Sequence, residues 1–315
     1  MSDKLKDKFT GTILASAIGD ALGMPFEGAT REKILSNMDG LVKEFLKSKK
    51  RNLEAGQFTD DTQMMLCIVE SIVEGCKVDP DDIAKRFVSW INSGDVRGAG
   101  RATIESLERL KSGKSWKESG KKGEWAAGNG AAMRIAPIGL FNYKDLNNLK
   151  KDCFNVSVIT HNNPEAIAGA TAIAYGITKN LNSIDFDVHD FILDVASFVN
   201  DISETMSDAL KDVNNLIWEE AQIESALMEI GVSGYVIESV SASFYIFGKW
   251  PKDLERAISE AASSGGDNDT IACMTGALSG SLNGVKAIPE RWLEGLEARE
   301  LLTDLALKIF DIKRR

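Results

Sequence analysis

Two short acidic segments stand where apolar stretches begin, and their residue types suit metal binding. Thr-Asp-Asp-Thr occupies positions 59–62 in FTDDTQMML, and Asp-Asn-Asp-Thr occupies positions 267–270 in GGDNDTIACMTGALSG. N-capping and the helix dipole explain one acidic residue at a helix start, but adjacent carboxylates repel each other when buried. A divalent cation removes that repulsion, and carboxylate and hydroxyl oxygens suit Mg²⁺ or Mn²⁺. If the fold brings the segments together, their four carboxylates predict a two-metal site.

Two further motifs can contribute to such a site. In GDALGMPFEG, a turn at residues 23–25 either leaves Asp20 and Glu27 solvated or carries Glu27 toward the metals. In GNGAAMRIAPIG, the glycine-rich segment 128–130 precedes a helix and can expose backbone N–H groups to an anion. Arg134, which follows this segment, is either a phosphate ligand or a structural ion-pair partner. The motif is not a P-loop, because no Gly-Lys-Ser/Thr follows.

The elements that must position these residues are helices. Six stretches place apolar residues at helical spacing; they are TQMMLCIVESIVEG (62–75), PDDIAKRFVSWIN (80–92), NPEAIAGATAIAYGITKNL (163–181), DVHDFILDVASFVNDI (187–202), DLERAISEAAS (253–263) and ARELLTDLALKIFDI (298–312). Strand-like alternation is almost absent, and only FNVSVIT (154–160) has the composition of a short strand. Since no linker divides the chain, we expect a single all-α domain of roughly a dozen helices over residues 1–315.

Two of the predicted helices carry small residues at every fourth position. They are Gly11, Ala15 and Gly19 in GTILASAIGDALG, and Ala272, Gly276 and Gly280 after the second acidic segment. Glycine destabilises a helix by ~1 kcal/mol relative to alanine, so another interaction must offset this loss at these positions. Either two helices approach closely, or the small face lies beside a ligand.

The composition narrows the function classes. The 315-residue chain has 43% hydrophobic and 27% charged residues, as soluble globular proteins do. Its net charge of -10 disfavours non-specific binding to nucleic acid or to an anionic membrane. The four cysteines form no CxxC pair and stand far from the two histidines, which disfavours a zinc finger and suits a reducing cytosol. We expect a cytoplasmic protein, because no run has transmembrane length and polar residues interrupt the N-terminal apolar stretch.

Six motifs, taken together and in this order, resemble the ADP-ribosylglycohydrolase family, which includes the dinitrogenase-reductase-activating glycohydrolase and the ADP-ribosyl-acceptor hydrolases. They are GTILASAIGDALGMPFEG, FTDDTQMML, GDVRGAGRATIESL, GNGAAMRIAPIGL, THNNPEAIAGA and GGDNDTIACMTGALSGSL. No single motif is specific, but the set covers nearly the whole chain. The resemblance implies a single large orthogonal helical domain with a cleft that holds two Mg²⁺ or Mn²⁺ ions.

The resemblance also implies roles for individual residues. The metal ligands would be Thr59, Asp60, Asp61, Asp267, Asp269 and Thr270, with Glu27 at or near the ions. The loop that cradles the diphosphate of ADP-ribose would contain Asn129, Gly130, Met133 and Arg134. His161 would lie near the ribose, although its residue type alone indicates only a histidine that leads to a helix start. Tyr235, in SGYVIES, would stack on the adenine.

The segment 95–97, which would lie near the leaving group, departs from the family pattern. Many relatives have Asp-Ile-Gly where this chain has Asp95-Val96-Arg97. Cleavage at the anomeric carbon builds oxocarbenium-like charge on the ribose, and Asp61 or Glu27 would take the proton of the attacking water. Asp95 would contact the leaving group, whereas Arg97 could neutralise Asp95 or repel the substrate.

The expected function is a metal-dependent hydrolase that removes ADP-ribose from a modified protein. ADP-ribosyl-arginine, an N-glycosidic linkage, is the favoured substrate because a guanidinium suits a carboxylate such as Asp95. Serine-linked, nucleic-acid-linked or other O-linked ADP-ribose is the first alternative. A non-catalytic, ADP-ribose-binding or crystallin-like structural protein is the second, and a Mg²⁺-dependent phosphohydrolase is the third. We expect no membrane partner, and nucleic acid only where it carries ADP-ribose.

Overall fold

The computed structural model describes residues 2–314, and in this part of the chain nearly all regular structure is helical. The seventeen α-helices of the described part are α1 (Ser2–Gly23), α2 (Arg31–Met38), α3 (Asp60–Gly75), α4 (Pro80–Ile91), α5 (Arg101–Lys111), α6 (Trp116–Ser119), α7 (Ala136–Phe141), α8 (Leu146–Ser157), α9 (Pro164–Asn182), α10 (Val188–Val199), α11 (Glu204–Trp218), α12 (Ile223–Ile230), α13 (Val236–Lys249), α14 (Leu254–Ala262), α15 (Asn268–Asn283), α16 (Glu290–Gly295) and α17 (Arg299–Arg314). Short 3₁₀ helices cover Met24–Phe26, Glu124–Ala126, Asn129–Ala131 and Val285–Ala287. Two strands, β1 (Lys121–Lys122) and β2 (His161–Asn162), form one parallel pair. The all-α prediction is confirmed.

The apolar periodicity located six of the helices correctly, and it did not single out α11 or α13. The six periodic stretches correspond to α3, α4, α9, α10, α14 and α17. In α4, for example, Asp79 caps the helix, Pro80 occupies its first position, and Ile83 and Phe87 are buried one turn apart. The predicted strand at 154–160 is wrong, because the first four of these residues continue α8 and the other three form a turn.

The small residues of α1 and α15 bring the two helix backbones into contact. A Cβ atom at Gly19 would lie 2.0 Å from the carbonyl oxygen of Ala272, so only glycine fits there. Close helix packing, rather than contact with a ligand, therefore explains this face. The same packing positions the second acidic segment, because a Cβ atom at Gly23 would lie 2.4 Å from the Cα atom of Asp269.

Most of the buried apolar side chains of the described residues belong to one connected cluster. One connected core is what a single domain requires, and the assignment of residues 1–315 to one domain stays a prediction. Between residues 2 and 314, no helix combines the length and the apolar character that crossing a membrane would need.

Candidate active site

The acidic segments and the glycine-rich segment line one cleft of about 530 Å³. Its acidic residues are Glu27, Asp60, Asp61, Asp267 and Asp269, which we call the acidic wall. Other residues of the cleft that the sequence singled out are Gly128, Asn129, Gly130, Met133, His161 and Thr270. The fold thus brings together segments from both ends of the chain, in a cleft whose volume suits a small-molecule ligand.

Asp20 holds the start of α3, where the first acidic segment lies. Its Oδ1 accepts hydrogen bonds from the N–H and the hydroxyl of Thr59, both at 2.9 Å. Its Oδ2 accepts from the N–H of Thr62 at 3.1 Å and from the Thr62 hydroxyl at 2.6 Å. The sequence reading of Asp20 as a solvated acid is wrong, because α1 continues to Gly23 and this side chain is fully buried. The sequence did contain a signal for burial, because Asp20 is the only acidic residue in the small and apolar stretch GTILASAIGDALG.

Because Asp20 satisfies these N–H groups, the carboxylates of Asp60 and Asp61 are free. In the helices α2, α4, α8, α9, α10, α11 and α14, the preceding side chain makes the N-cap hydrogen bond. Thr59 before α3 and Asp267 before α15 make no such bond. N-capping, the alternative explanation of the acidic segments, is therefore not how these side chains are used.

The acidic wall has the oxygen atoms and the charge of a metal site. Carboxylate oxygens of Glu27, Asp267 and Asp269 all lie within 4.8 Å of one another. The Oδ2 atom of Asp61 is buried without a hydrogen-bond partner. Burial, followed by neighbouring carboxylates, raises the pKa of Asp61 and Asp269 well above the usual range, and burial raises the pKa of Asp60 to about 7. A hard cation would stabilise these crowded oxygens, so the residues fit a metal ion.

Neighbouring polar groups fix the orientation of two predicted ligands. The Nδ2 group of Asn129 donates to Oδ2 of Asp267 at 2.5 Å and to Oγ of Ser239 at 3.1 Å, which makes Asn129 a positioning residue. Thr59 is fully buried and its hydroxyl donates to Asp20, yet the oxygen keeps lone pairs that a cation can use. Thr270 lines the cleft itself.

Arg51 brings a positive charge to the acidic wall. Its Nη2 group pairs with Glu27 and lies 3.8 Å from Oδ2 of Asp269, and its Nη1 group donates to the carbonyl of Arg97 at 3.1 Å. Gly98 makes room for it, since this glycine has φ of +114° and a Cβ atom there would lie 1.9 Å from Nη1. Sequence reasoning missed Arg51, because it stands in the lysine-rich run KSKKRN, where local pattern does not distinguish it from solvated charges.

The glycine-rich segment forms an open loop above His161. In the described part of the chain, the N–H of Gly130 donates to no backbone acceptor outside the 3₁₀ helix Asn129–Ala131, whereas the N–H of Asn129 donates to the Gly234 carbonyl at 3.1 Å. A Cβ atom at Gly130 would lie 2.7 Å from Cε1 of His161, so the glycine lets the ring approach the loop. The Gly130 N–H can therefore donate to an anion, and binding of an anion by this loop stays a prediction.

Arg134 does not reach the cleft, which corrects the prediction that it contacts the ligand. Its side chain is fully buried, and Nη2 donates to Oγ1 of Thr160 at 2.7 Å and to the Val156 carbonyl at 3.2 Å. Among residues 2–314, no carboxylate lies within ion-pair distance of its guanidinium, so the expected ion pair is absent too. Successive side chains on a turn point in different directions, and Met133 faces the cleft while Arg134 faces the core.

Asp95 lies outside the cleft lining, and Arg97 holds its carboxylate. Arg97 Nε and Nη2 donate to Oδ1 and Oδ2 of Asp95 at 2.9 and 2.8 Å, and its Nη1 group donates to Glu297 at 2.6 Å. The hydrogen bond from Arg97 is the main reason that the pKa of Asp95 is lowered. Of the two effects that the sequence left open for Arg97, the structure shows pairing with Asp95. Contact of Asp95 with a leaving group stays a prediction.

Tyr235 lies beside the glycine-rich loop, at the start of α13. It pairs with Gly128 in an isolated β-bridge, and its hydroxyl donates to Glu165 at 2.9 Å. The side chain is partly exposed but does not belong to the cleft lining. Stacking of this ring on adenine stays a prediction.

Comparison with known proteins gives matches over nearly the whole chain. A family model described as ADP-ribosylglycohydrolase matches residues 1–315. The chain is 30% identical to the ADP-ribosylarginine hydrolase Tri1 of Serratia proteamaculans (strain 568), over 96% of this chain and 79% of that protein. It is 28% identical to the ADP-ribosylhydrolase ARH3 of Xenopus tropicalis, over 97% and 95% of the two chains. A solved structure described as an ADP-ribosylglycohydrolase-related protein complex matches with a TM-score of 0.82 and 27% identity, over 99% of both chains.

Proposed function

Because the chain belongs to the ADP-ribosylglycohydrolase family, it is an ADP-ribosylglycohydrolase, and we propose that it releases ADP-ribose from arginine side chains of proteins. The observation that carries this proposal is the convergence of five carboxylates on one cleft of about 530 Å³. The name of the Serratia relative supports the arginine linkage. The proposed partners are an ADP-ribosylated protein as substrate and ADP-ribose as product, in the cytoplasm.

The proposed cofactors are two Mg²⁺ or Mn²⁺ ions. The residues that would hold them are Thr59, Asp60, Asp61, Asp267, Asp269 and Thr270, with Glu27 beside them. The unpartnered Oδ2 of Asp61 and the close oxygens of Glu27, Asp267 and Asp269 support this assignment. When bound, such ions hold ribose hydroxyls and lower the pKa of a bound water.

Asp61 and Glu27 are the candidates that would take the proton of the attacking water. Breaking the bond at the anomeric carbon leaves positive charge on the ribose, which negative groups of the acidic wall stabilise. Arg51 pairs with Oε2 of Glu27, so Glu27 would act through Oε1, and Asp61 would act through an oxygen that a cation leaves free. The N–H of Gly130 would donate to the diphosphate, which would leave the ribose beside the carboxylates.

Asp95 is the candidate carboxylate for the arginine side chain of the substrate. A carboxylate has about four lone-pair sites, and Arg97 uses one on each oxygen. The Asp95 side chain is 61% exposed, so its outer edge remains accessible to a second guanidinium. The bidentate contact with Arg97 supports the proposal, because the guanidinium of the substrate would pair with the same carboxylate.

The test compares kcat/KM on arginine-linked and serine-linked ADP-ribosyl peptides for three proteins. They are the unmodified chain, Asp95→Asn, and Glu297→Gln, a matched control that loosens Arg97 from its other side. We expect a preference for arginine that is lost in Asp95→Asn and kept in Glu297→Gln. Equal or faster cleavage of the serine linkage by the unmodified chain would reject the arginine assignment.

The same assay distinguishes the remaining alternatives. If EDTA leaves the turnover unchanged, the proposal that the activity depends on metal ions is wrong. Release of inorganic phosphate in place of ADP-ribose would indicate a phosphohydrolase. Binding of ADP-ribose without release from any linkage, including a DNA-linked substrate, would indicate a non-catalytic member of the family.

A further inference from the structure

Arg134, Thr160 and His161 form a buried chain of hydrogen bonds that ends at the cleft. Nη2 of Arg134 lies 2.7 Å from Oγ1 of Thr160, and the same Oγ1 lies 2.8 Å from Nδ1 of His161. All three side chains are buried, and His161 is the member that lines the cleft. The chain of bonds therefore connects a charge in the protein interior with the cleft.

The direction of each bond follows from what each group can donate. A guanidinium has N–H donors and no acceptor, so Oγ1 of Thr160 accepts from Arg134. The Thr160 hydroxyl keeps one proton to donate, and within the described residues its one other side-chain contact at hydrogen-bond distance is Nδ1 of His161, which we therefore assign as the acceptor. Nδ1 accepts this bond through its lone pair, so the single proton of a neutral imidazole stands on Nε2.

The opposite tautomer is disfavoured by burial. With the proton on Nδ1, the imidazole would donate to Oγ1, and the Thr160 hydroxyl would have no acceptor in a fully buried position. A buried polar group without a partner shifts such an equilibrium by about ten- to a hundredfold. Burial, followed by the nearby charge of Arg134, lowers the pKa of His161 to about 3, so the ring is neutral at pH 7.

We propose that Arg134 and Thr160 are positioning residues that hold His161 as the Nε2–H tautomer, a neutral hydrogen-bond donor at the cleft. Gly130 leaves room at this nitrogen, since a Cβ atom there would lie 3.2 Å from Nε2. The group that His161 recognises is an acceptor oxygen, such as a hydroxyl or phosphate oxygen. Its identification as an oxygen of ADP-ribose rests on the proposed function. Arg134, which has no carboxylate within ion-pair distance among residues 2–314, would thus set the orientation of the Thr160 hydroxyl through its donors.

The tautomer can be measured directly in the full-length protein. A long-range ¹H–¹⁵N correlation spectrum of ¹⁵N-labelled protein distinguishes protonated from unprotonated imidazole nitrogens. The chain has only two histidines, and His189→Gln, in α10 and outside the cleft lining, leaves His161 as the sole signal. At pH 7 we expect a protonated Nε2 and an unprotonated Nδ1. A protonated Nδ1, an imidazolium or an equal mixture overturns the proposal, whether or not any further variant folds.

Variants at Thr160 test the origin of the tautomer. Thr160→Val keeps the shape but removes the hydroxyl, whereas Thr160→Ser keeps the hydroxyl as the matched control. We expect Thr160→Val to lose the Nε2–H bias and to weaken ADP-ribose binding about tenfold by calorimetry, and Thr160→Ser to retain both. A Thr160→Val protein with an unchanged tautomer and unchanged affinity overturns the proposal. If the tautomer follows Thr160 but the unmodified protein binds no ADP-ribose, the proposed function fails and the positioning role stands.

Discussion

The variant Asp60→Asn tests how much the ionisation of one buried carboxyl in the acidic wall lowers the stability of the folded protein. Asp60 is 6% exposed, and its pKa is raised to about 7, first by burial and then by Asp20. Asparagine has nearly the same shape but carries no charge. Without a divalent cation, the unmodified protein must ionise this buried carboxyl as the pH rises, and the variant need not.

The sign and size of the effect follow from proton linkage. The unfolded pKa of aspartate is about 3.9, so between this value and the folded pKa the folded state binds more protons. The stability that Asp60 contributes is fully present below pH ~3.9 and is lost as the pH rises through about 7. A difference of about 3 pKa units is about 4 kcal/mol, of which about 3 kcal/mol is lost between pH ~5 and ~8. At about 2.1 cal/mol/K of unfolding entropy per residue, this is about 4–5 °C in Tm for this chain.

The assay is thermal unfolding followed by calorimetry in EDTA between pH ~5 and ~8. We expect Tm of Asp60→Asn minus Tm of the unmodified protein to rise by about 4–5 °C across this range. Mg²⁺ at 100 times its Kd should cancel most of this difference near pH ~8, because it adds about 2.7 kcal/mol to the protein that keeps its carboxylate.

Asp95→Asn is the control, because the hydrogen bond from Arg97 lowers the pKa of Asp95. Its stabilising contribution is present at high pH and is lost as the pH falls, so this variant should gain nothing near pH ~8. A Tm difference for Asp60→Asn that does not change with pH in EDTA would refute the reasoning. It would show that the protein itself already compensates the charge of Asp60.

Three further predictions test the neighbourhood of the site. Arg51→Gln removes a positive charge from the acidic wall and should tighten Mg²⁺ binding in calorimetric titration. Lys49→Gln, in the same segment, should leave Mg²⁺ binding unchanged. Equal changes in the two variants would contradict a specific role for Arg51. Gly23→Ala should lower the free energy of unfolding by about 1–3 kcal/mol and weaken Mg²⁺ binding, because its methyl group meets the backbone of α15. Gly75→Ala, where space is available, should be neutral in the same denaturation assay. Tyr235→Ala should weaken ADP-ribose binding by about 1–3 kcal/mol, and Tyr235→Phe should not, since stacking needs only the ring.

Local pattern was sufficient for six of the helices and for the residue types of the acidic wall. A helix such as α9 spans 19 residues, so its apolar period repeats often enough to be recognised. A helix such as α16, with six residues, contains fewer than two turns and has no measurable period. The segments 59–62 and 267–270 were recognisable because two carboxylates at one helix start exceed what capping requires.

By itself, the sequence determined the fold class, the types of the site residues and the resemblance to the family. Only the tertiary structure decided which of those residues face the cleft, which are buried and which are paired. Asp20 became a buried acceptor, Arg134 turned into the core and Arg51 joined the acidic wall. Residue type and helical period are local properties, whereas burial and pairing depend on contacts such as Asp20 with Thr59, 39 positions apart. No short-range pattern encodes which distant helix packs against a given side chain.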